Sequence, residues 1–132
     1  IIAHGVDFHR TLTLARSLQL PLKILPKMPH EKLNMYYWDA DVVIDRFKLG
    51  SLGMVSLEAI SCGRPVITYV SSEYSEYEDF PLKDVNTEDG IIESFEDALA
   101  ELWKAEYAYL GAYHNPDVIV AQLLREYKNL SE

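Results

Sequence analysis

The sequence predicts an α/β fold built on a parallel sheet, from three observations. Short apolar runs rich in β-branched residues alternate with segments of helical period. One such run leads through a glycine-bearing stretch straight into a helix, as strands of a parallel sheet do. Of the 132 residues, 48% are hydrophobic, enough for the core of one domain in a chain too short for a two-domain enzyme.

The elements follow in order. Residues 1–4 read as the tail of a strand. Residues 7–20 read as a helix, with Phe8, Leu12, Ala15 and Leu18 near one face and Asp7 able to cap the start. Residues 22–27 read as a second strand and 31–40 as a short helix anchored by Leu33, Tyr36 and Tyr37. Residues 41–45, Asp-Val-Val-Ile-Asp, read as a third strand. A helix over 53–62 is bounded by Gly53 and by Gly63 with Pro65 beyond it. Residues 66–70 form a fourth strand, and 71–81 read as an exposed acidic and tyrosine-rich loop. A brief strand is expected around 84–86. Ser94, with Asp97 three residues on, predicts a capping box, and Phe95, Leu99 and Leu102 form the stripe of the helix behind it. In the last helix Asn115 is the cap, Pro116 the first residue, and Ile119, Leu123, Tyr127 and Leu130 recur at helical spacing.

The net charge of −9 argues against nucleic acid or an anionic membrane as a general partner, because both need a cationic surface. A local basic pocket for a phosphate remains compatible with it. The single cysteine, Cys62, allows no intramolecular disulfide and fits a reducing compartment, so the expected location is the cytoplasm. No apolar stretch approaches the roughly 20 residues of a membrane span. The chain opens at Ile1 within an apolar run, and is expected to be one partial domain, residues 1–132, of a longer protein.

Ligands of parallel α/β sheets bind at the carboxyl ends of the strands. That rule singles out the run Gly50-Ser51-Leu52-Gly53-Met54-Val55-Ser56-Leu57-Glu58-Ala59-Ile60-Ser61-Cys62-Gly63-Arg64-Pro65-Val66-Ile67. Here a strand exits into a glycine-bearing loop, a helix starts, and a carboxylate lies about one turn in. A helix start offers unpaired N–H groups and a positive dipole end. Gly53 has no side chain to block a phosphate, and Glu58 can accept from the two neighbouring hydroxyls of a ribose.

This run resembles the G-F-G-x-x-x-x-E-A-x-A-x-G-x-P-V-I signature of family-4-type (group 1) GT-B glycosyltransferases. It follows an A-D-V-V-I strand, as in that family. The I-I-A-H-G run, the strand ending L-P-K-M-P and the final Y-H…V-A-x-x-L-x-x-x-Y stretch support the resemblance, which covers most of the chain. It implies a Rossmann-like parallel sheet with flanking helices and a C-terminal helical tail, truncated at the N-terminus. It also implies the donor-binding part of a retaining glycosyltransferase, taking a UDP- or GDP-sugar without cofactor or bound metal. By the same resemblance Glu58 holds the ribose hydroxyls, the amides of Gly53, Met54 and Val55 bind the diphosphate, and Lys27 and Met28 contact the base. Gly50, Ser51 and Leu52 complete the loop. Gly50 stands where the family carries a glutamate that contacts the donor sugar.

The implied partners are the nucleotide sugar and an absent N-terminal acceptor domain, with no nucleic acid. Peripheral membrane association is a further expectation for the full-length protein. The strand that carries the family's diphosphate-neutralising Arg and Lys precedes this chain, so the sheet is expected to show a gap, a rearranged order or a strand from another chain. Other expectations come from the residues alone. Arg46 and Lys48 leave the right end of a strand to meet phosphate, against the default of solvated loop charges. His4, Ser71 and Ser72 also lie at strand ends. Asp39-Ala40-Asp41 spells a D-x-D but lies at the start of a strand, away from the expected crevice, and no cluster has zinc-like spacing. His9, His30 and His114 read as surface or capping residues, Tyr36-Tyr37-Trp38 as core packing, and Cys62 as a buried small hydrophobe. Two other readings stand beside the retaining transferase. One is a different GT-B relative, a nucleotide-sugar epimerase or an inverting transferase, and the other is a non-catalytic α/β binding or scaffold module.

Overall fold

A computed structural model describes residues 7–129 of the chain, so the expected first strand, His4 and Leu130 lie outside the described residues. The chain divides into two compact units, residues 1–33 and 34–132.

In the first unit, helix α1 spans Phe8–Ser17 and buries Ala15. Asp7 occupies the cap position but makes no side-chain capping bond, and Leu18 is exposed, so the expected stripe is shorter than its spacing suggested. The strand expected over 22–27 does not form: a lone bridge residue, Leu25, is all that pairs. Pro21 precedes this run and Pro26 lies within it, and each removes a donor that a ladder needs. A 3-10 turn, His30–Lys32, precedes helix α2, Leu33–Trp38.

The second unit is mixed α/β and mostly helical. Its sheet is two short strands, β1 (Val43–Ile44) and β2 (Val66–Ile67), paired in parallel with Val43 opposite Val66 and Ile44 opposite Ile67. Backbone bonds continue past both strand ends: Val43 N–H to Pro65 C=O, Asp45 N–H to Ile67 C=O, and Tyr69 N–H to Arg46 C=O. The expected strands 41–45 and 66–70 therefore keep their places and their parallel sense but shorten to two residues each. A full Rossmann-like sheet is not present among the described residues.

Helix α3, Met54–Ser61, returns the chain from β1 to β2, as a parallel connection requires. It ends as the sequence predicted. Gly63 takes a left-handed φ of +72°, Gly63 N–H reaches Ile60 C=O, and Arg64 N–H reaches Ala59 C=O, the paired bonds of a Schellman cap. Ala59 and Ile60 of α3 join Val66, Ile67 and Val70 in the core.

Helix α4 spans Glu88–Ala100 and α5 spans Leu102–Tyr113. The start expected at Ser94 is wrong. Thr87 caps α4 instead, accepting the Gly90 N–H at 3.1 Å, while Ser94 lies buried mid-helix and donates back to Gly90 C=O. Leu99, placed on the buried stripe, is 67% exposed, one residue before α4 ends at Ala100. The strand expected at 84–86 does not form: Asp84 takes φ +60° and its N–H bonds Val70 C=O at 2.8 Å, but no regular element follows.

Helix α4 packs on β2 and α5, and α5 packs on α3. Ile67, Val85 and Ala98 centre one apolar cluster, with Phe47, Leu82 and Phe95 closing it. Each large side chain buried here contributes about 1.5–3 kcal/mol. The 71–81 loop is exposed for most of its length but anchored. Phe80 is buried edge-on against Tyr109 of α5, Tyr109 Oη donates to Glu76 C=O at 3.2 Å, and Tyr113 Oη donates to Asp79.

Helix α6, Pro116–Asn129, begins as predicted, with Asn115 Oδ1 accepting the Asp117 N–H at 2.9 Å. Its stripe faces outward: Ile119, Leu123 and Tyr127 are all exposed. No helix of the described residues is long and apolar enough to cross a membrane.

Candidate functional site at the start of α3

The candidate site lies at the carboxyl end of β1, where the chain runs through residues 45–53 into α3. Gly50 makes the turn possible. Its φ is +66°, which side-chain-bearing residues rarely adopt, and a Cβ there would stand 3.0 Å from Ser71 Cβ. The Ser71 N–H then bonds Gly50 C=O at 2.9 Å, tying the turn to the segment after β2. Ser51 and Leu52 follow, half-buried.

Gly53 is the N-cap of α3, with extended backbone and no side chain to supply a cap. The first helical bond runs from Leu57 N–H to Gly53 C=O, so the amides of Met54, Val55 and Ser56 precede it. The Met54 side chain is 68% exposed and Val55 lies at the surface beside it. Ser56 is fully buried.

A carboxylate of the chain itself occupies the neighbourhood of this helix start. Asp45 Oδ2 accepts from Ser56 Oγ at 2.7 Å and lies against the Gly53 Cα, where a Cβ would collide with it. The Arg46 guanidinium lies on the same side of Gly53 and donates from Nη2 to Leu52 C=O at 3.0 Å. Arg46 Nε is buried and makes no hydrogen bond among the described residues. Gly53 thus has a packing role: it is buried, and the space a side chain would need is filled by Asp45 and Arg46. Lys48, the second cation expected here, is solvent-exposed in the turn.

Glu58 sits half-buried one turn further along α3. Its Oε2 accepts from the Tyr37 phenol of α2 at 2.9 Å. Tyr37 is 7% exposed. Burial raises its phenol well above the ordinary value, and the hydrogen bond to Glu58 and the charges of Glu58 and Asp45 push the same way. The phenol therefore stays a donor at physiological pH.

The second unit thus brings Arg46, Gly50, Ser51, Leu52, Gly53, Met54, Val55 and Glu58 into one continuous turn and helix start. Lys27 and Met28 belong to the first unit, outside any regular element before the 3-10 turn, with Lys27 exposed and Met28 half-buried. Ser71 is buried with its Oγ accepting the Glu73 N–H, and the Ser72 N–H is bonded to Asp84 Oδ1.

Sequence reasoning missed three groups. Tyr37 was expected only to pack, yet it is the partner of Glu58. Asp45 and Ser56 form a pair across the strand-to-helix turn. Glu106, on α5, is fully buried, with Oε2 accepting the Val66 N–H at 2.9 Å and Oε1 lacking a hydrogen bond. Burial pushes its carboxyl up to about 8, against which the Val66 amide acts only in part. The Asp45 position at a strand's carboxyl end was a usable signal. Nothing in the pattern around Glu106 marked it as buried.

A cavity of about 400 Å³ lies at the other end of the strands, lined by Asp41, Cys62, Arg64, Pro65, Leu99 and Trp103 among others. It includes none of the residues expected to bind a nucleotide. Arg64 Nη2 donates to Trp38 C=O at 2.6 Å, so this cation closes the end of α2. Asp39 and Asp41 are exposed, and among the described residues no three His, Cys, Asp or Glu side chains are grouped to hold a metal ion. His114 caps the end of α5 half-buried, and burial holds its imidazole below the ordinary value.

No protein-family model, no curated protein and no solved structure matches the chain.

Proposed function

We propose that this chain is the nucleotide-sugar-binding part of a retaining glycosyltransferase of the GT-B kind. A UDP- or GDP-sugar would lay its diphosphate against the start of α3 and its ribose against Glu58. One observation carries the reading. At the carboxyl end of a parallel strand, a left-handed glycine turn leads into a helix start whose Met54 and Val55 lie at the surface, with a carboxylate one turn beyond them.

The chemistry follows from that arrangement. In glycosyl transfer the bond from sugar to diphosphate breaks, and negative charge grows on the leaving diphosphate. Helix-start amides of Met54 and Val55, with the Arg46 guanidinium beside Gly53, would stabilise that charge without reorganising. Glu58, held by Tyr37, would accept from the ribose hydroxyls. The Rossmann-like sheet, the acceptor domain and the absence of a metal requirement belong to this proposal. Gly50 supplies no group for the donor sugar, and its left-handed backbone would strain a glutamate there. The sugar must then be held by other groups.

Asp45 favours a second reading, the non-catalytic α/β module. Its carboxylate already lies at the helix start, bonded to Ser56, and repels an incoming anion. Titration of UDP and GDP into the wild type and Glu58→Ala separates the two. Saturable binding that is lost in the variant supports the transferase. No binding at millimolar nucleotide to the full-length protein supports the module.

A further inference from the structure

We propose that Tyr37 is the positioning residue for the ribose-reading carboxylate, fixing Glu58 through its phenol. The inference rests on the nucleotide-binding reading above and adds to it a residue on a different helix. The bond spans 21 positions of sequence and joins α2 to α3. Tyr37 is buried, so its O–H must find an acceptor within the protein, and Glu58 Oε2 is that acceptor at 2.9 Å.

The geometry gives this bond a purpose beyond satisfying a phenol. A half-buried glutamate on a short helix samples several rotamers, and a ligand that needs one of them must restrict the others on binding. A side chain already held by a buried donor presents its carboxylate beforehand. One carboxylate offers about four acceptor sites, so a phenol bond and bonds from vicinal hydroxyls are compatible on the same group. Asp45 and Cys62 also lie close enough to the phenol to act on it electrostatically, and both, like Glu58, favour its protonated form. Tyr37 therefore acts through Glu58 rather than on the ligand.

The test compares UDP and GDP with their 2′-deoxy forms by titration calorimetry on the full chain. In the wild type the ribonucleotides should bind more tightly than the deoxy forms. Tyr37→Phe should weaken ribonucleotide binding about five- to tenfold, as having to order one loose side chain on binding does, and leave the deoxy forms within about twofold. In a Glu58→Gln background the same change should leave the ribose preference unaltered, because the residue it acts through is gone. If the phenylalanine variant loses its near-ultraviolet dichroism, 4-fluorophenylalanine at position 37 keeps the ring's bulk without the donor and repeats the comparison. An unchanged ribose preference in the variant, or equal loss for both nucleotide forms, overturns the role of Tyr37 alone. No binding of any nucleotide by the wild type overturns the underlying reading, and this inference with it.

Discussion

Replacing Glu106 by glutamine should flatten the stability of this protein against pH. The carboxyl is fully buried, and burial moves it from the ordinary 4.5 to about 8. The folded state therefore keeps a proton that the unfolded chain releases. For a carboxyl raised in this way, folding is favoured fully below the unfolded value near 4.5. That advantage is lost as pH rises from there through about 8. At about 1.4 kcal/mol per pH unit the whole window amounts to about 5 kcal/mol, a ceiling that structural relaxation lowers. Domains hold only about 5–15 kcal/mol in total, so the effect is large. Glutamine keeps an acceptor for the Val66 N–H at the position of Oε2, and leaves its amide nitrogen near the site where Oε1 has no hydrogen bond. The neutral acid already places its O–H at that site, so the amide's second N–H is the added orphan, costing about 1–3 kcal/mol at every pH. Urea unfolding of both proteins from pH 5 to 9 reads the difference directly. The wild type should be the more stable at pH 5, and its advantage should shrink and reverse by pH 9. Parallel stability profiles would refute the reasoning, because they would mean that Glu106 titrates alike in both states.

Two further substitutions test the local physics around the site and the core. Gly53→Ala should cost about 1–3 kcal/mol, since its Cβ would collide with the Asp45 carboxylate and stand 3.0 Å from Arg46 Nη2. An unchanged urea midpoint would show that Asp45 is not held against the helix start. Thr87→Ala removes the cap of α4, which accepts the Gly90 N–H, and should cost about 1 kcal/mol, or about 3–5 °C in Tm. A Tm equal to that of the wild type would place the start of α4 elsewhere.

Helix ends were the most legible features of this sequence, because their signals are local. Helix α3 was expected over 53–62 and spans Met54–Ser61, and Gly63 makes the left-handed cap that its position implied. Asn115 and Pro116 opened α6 in the same way. Strand extent was less legible, because a strand needs a partner. The 41–45 and 66–70 runs pair along two residues each, and 22–27, with Pro21 before it and Pro26 within it, has no ladder. Ser94 and Asp97 imitated a capping box inside a helix that Thr87 had already started.

At the candidate site, Gly53 and Glu58 could be read from spacing along one helix. Their partners could not. Tyr37 meets Glu58 from 21 residues away and Asp45 meets Ser56 from 11, contacts that only folding creates. Glu106 breaks the rule that a charged residue marks the exposed face of a helix. Its carboxyl is retained in the core where Val66 offers an N–H.

Amide chemical-shift mapping of the ¹⁵N-labelled protein during titration with UDP and GDP tests the nucleotide site most directly. Saturable shifts are expected, concentrated at the amides of Gly53, Met54 and Val55 and at Glu58. Shifts centred instead on the cavity beside Asp41 and Trp103, or no shift at millimolar nucleotide, would contradict it.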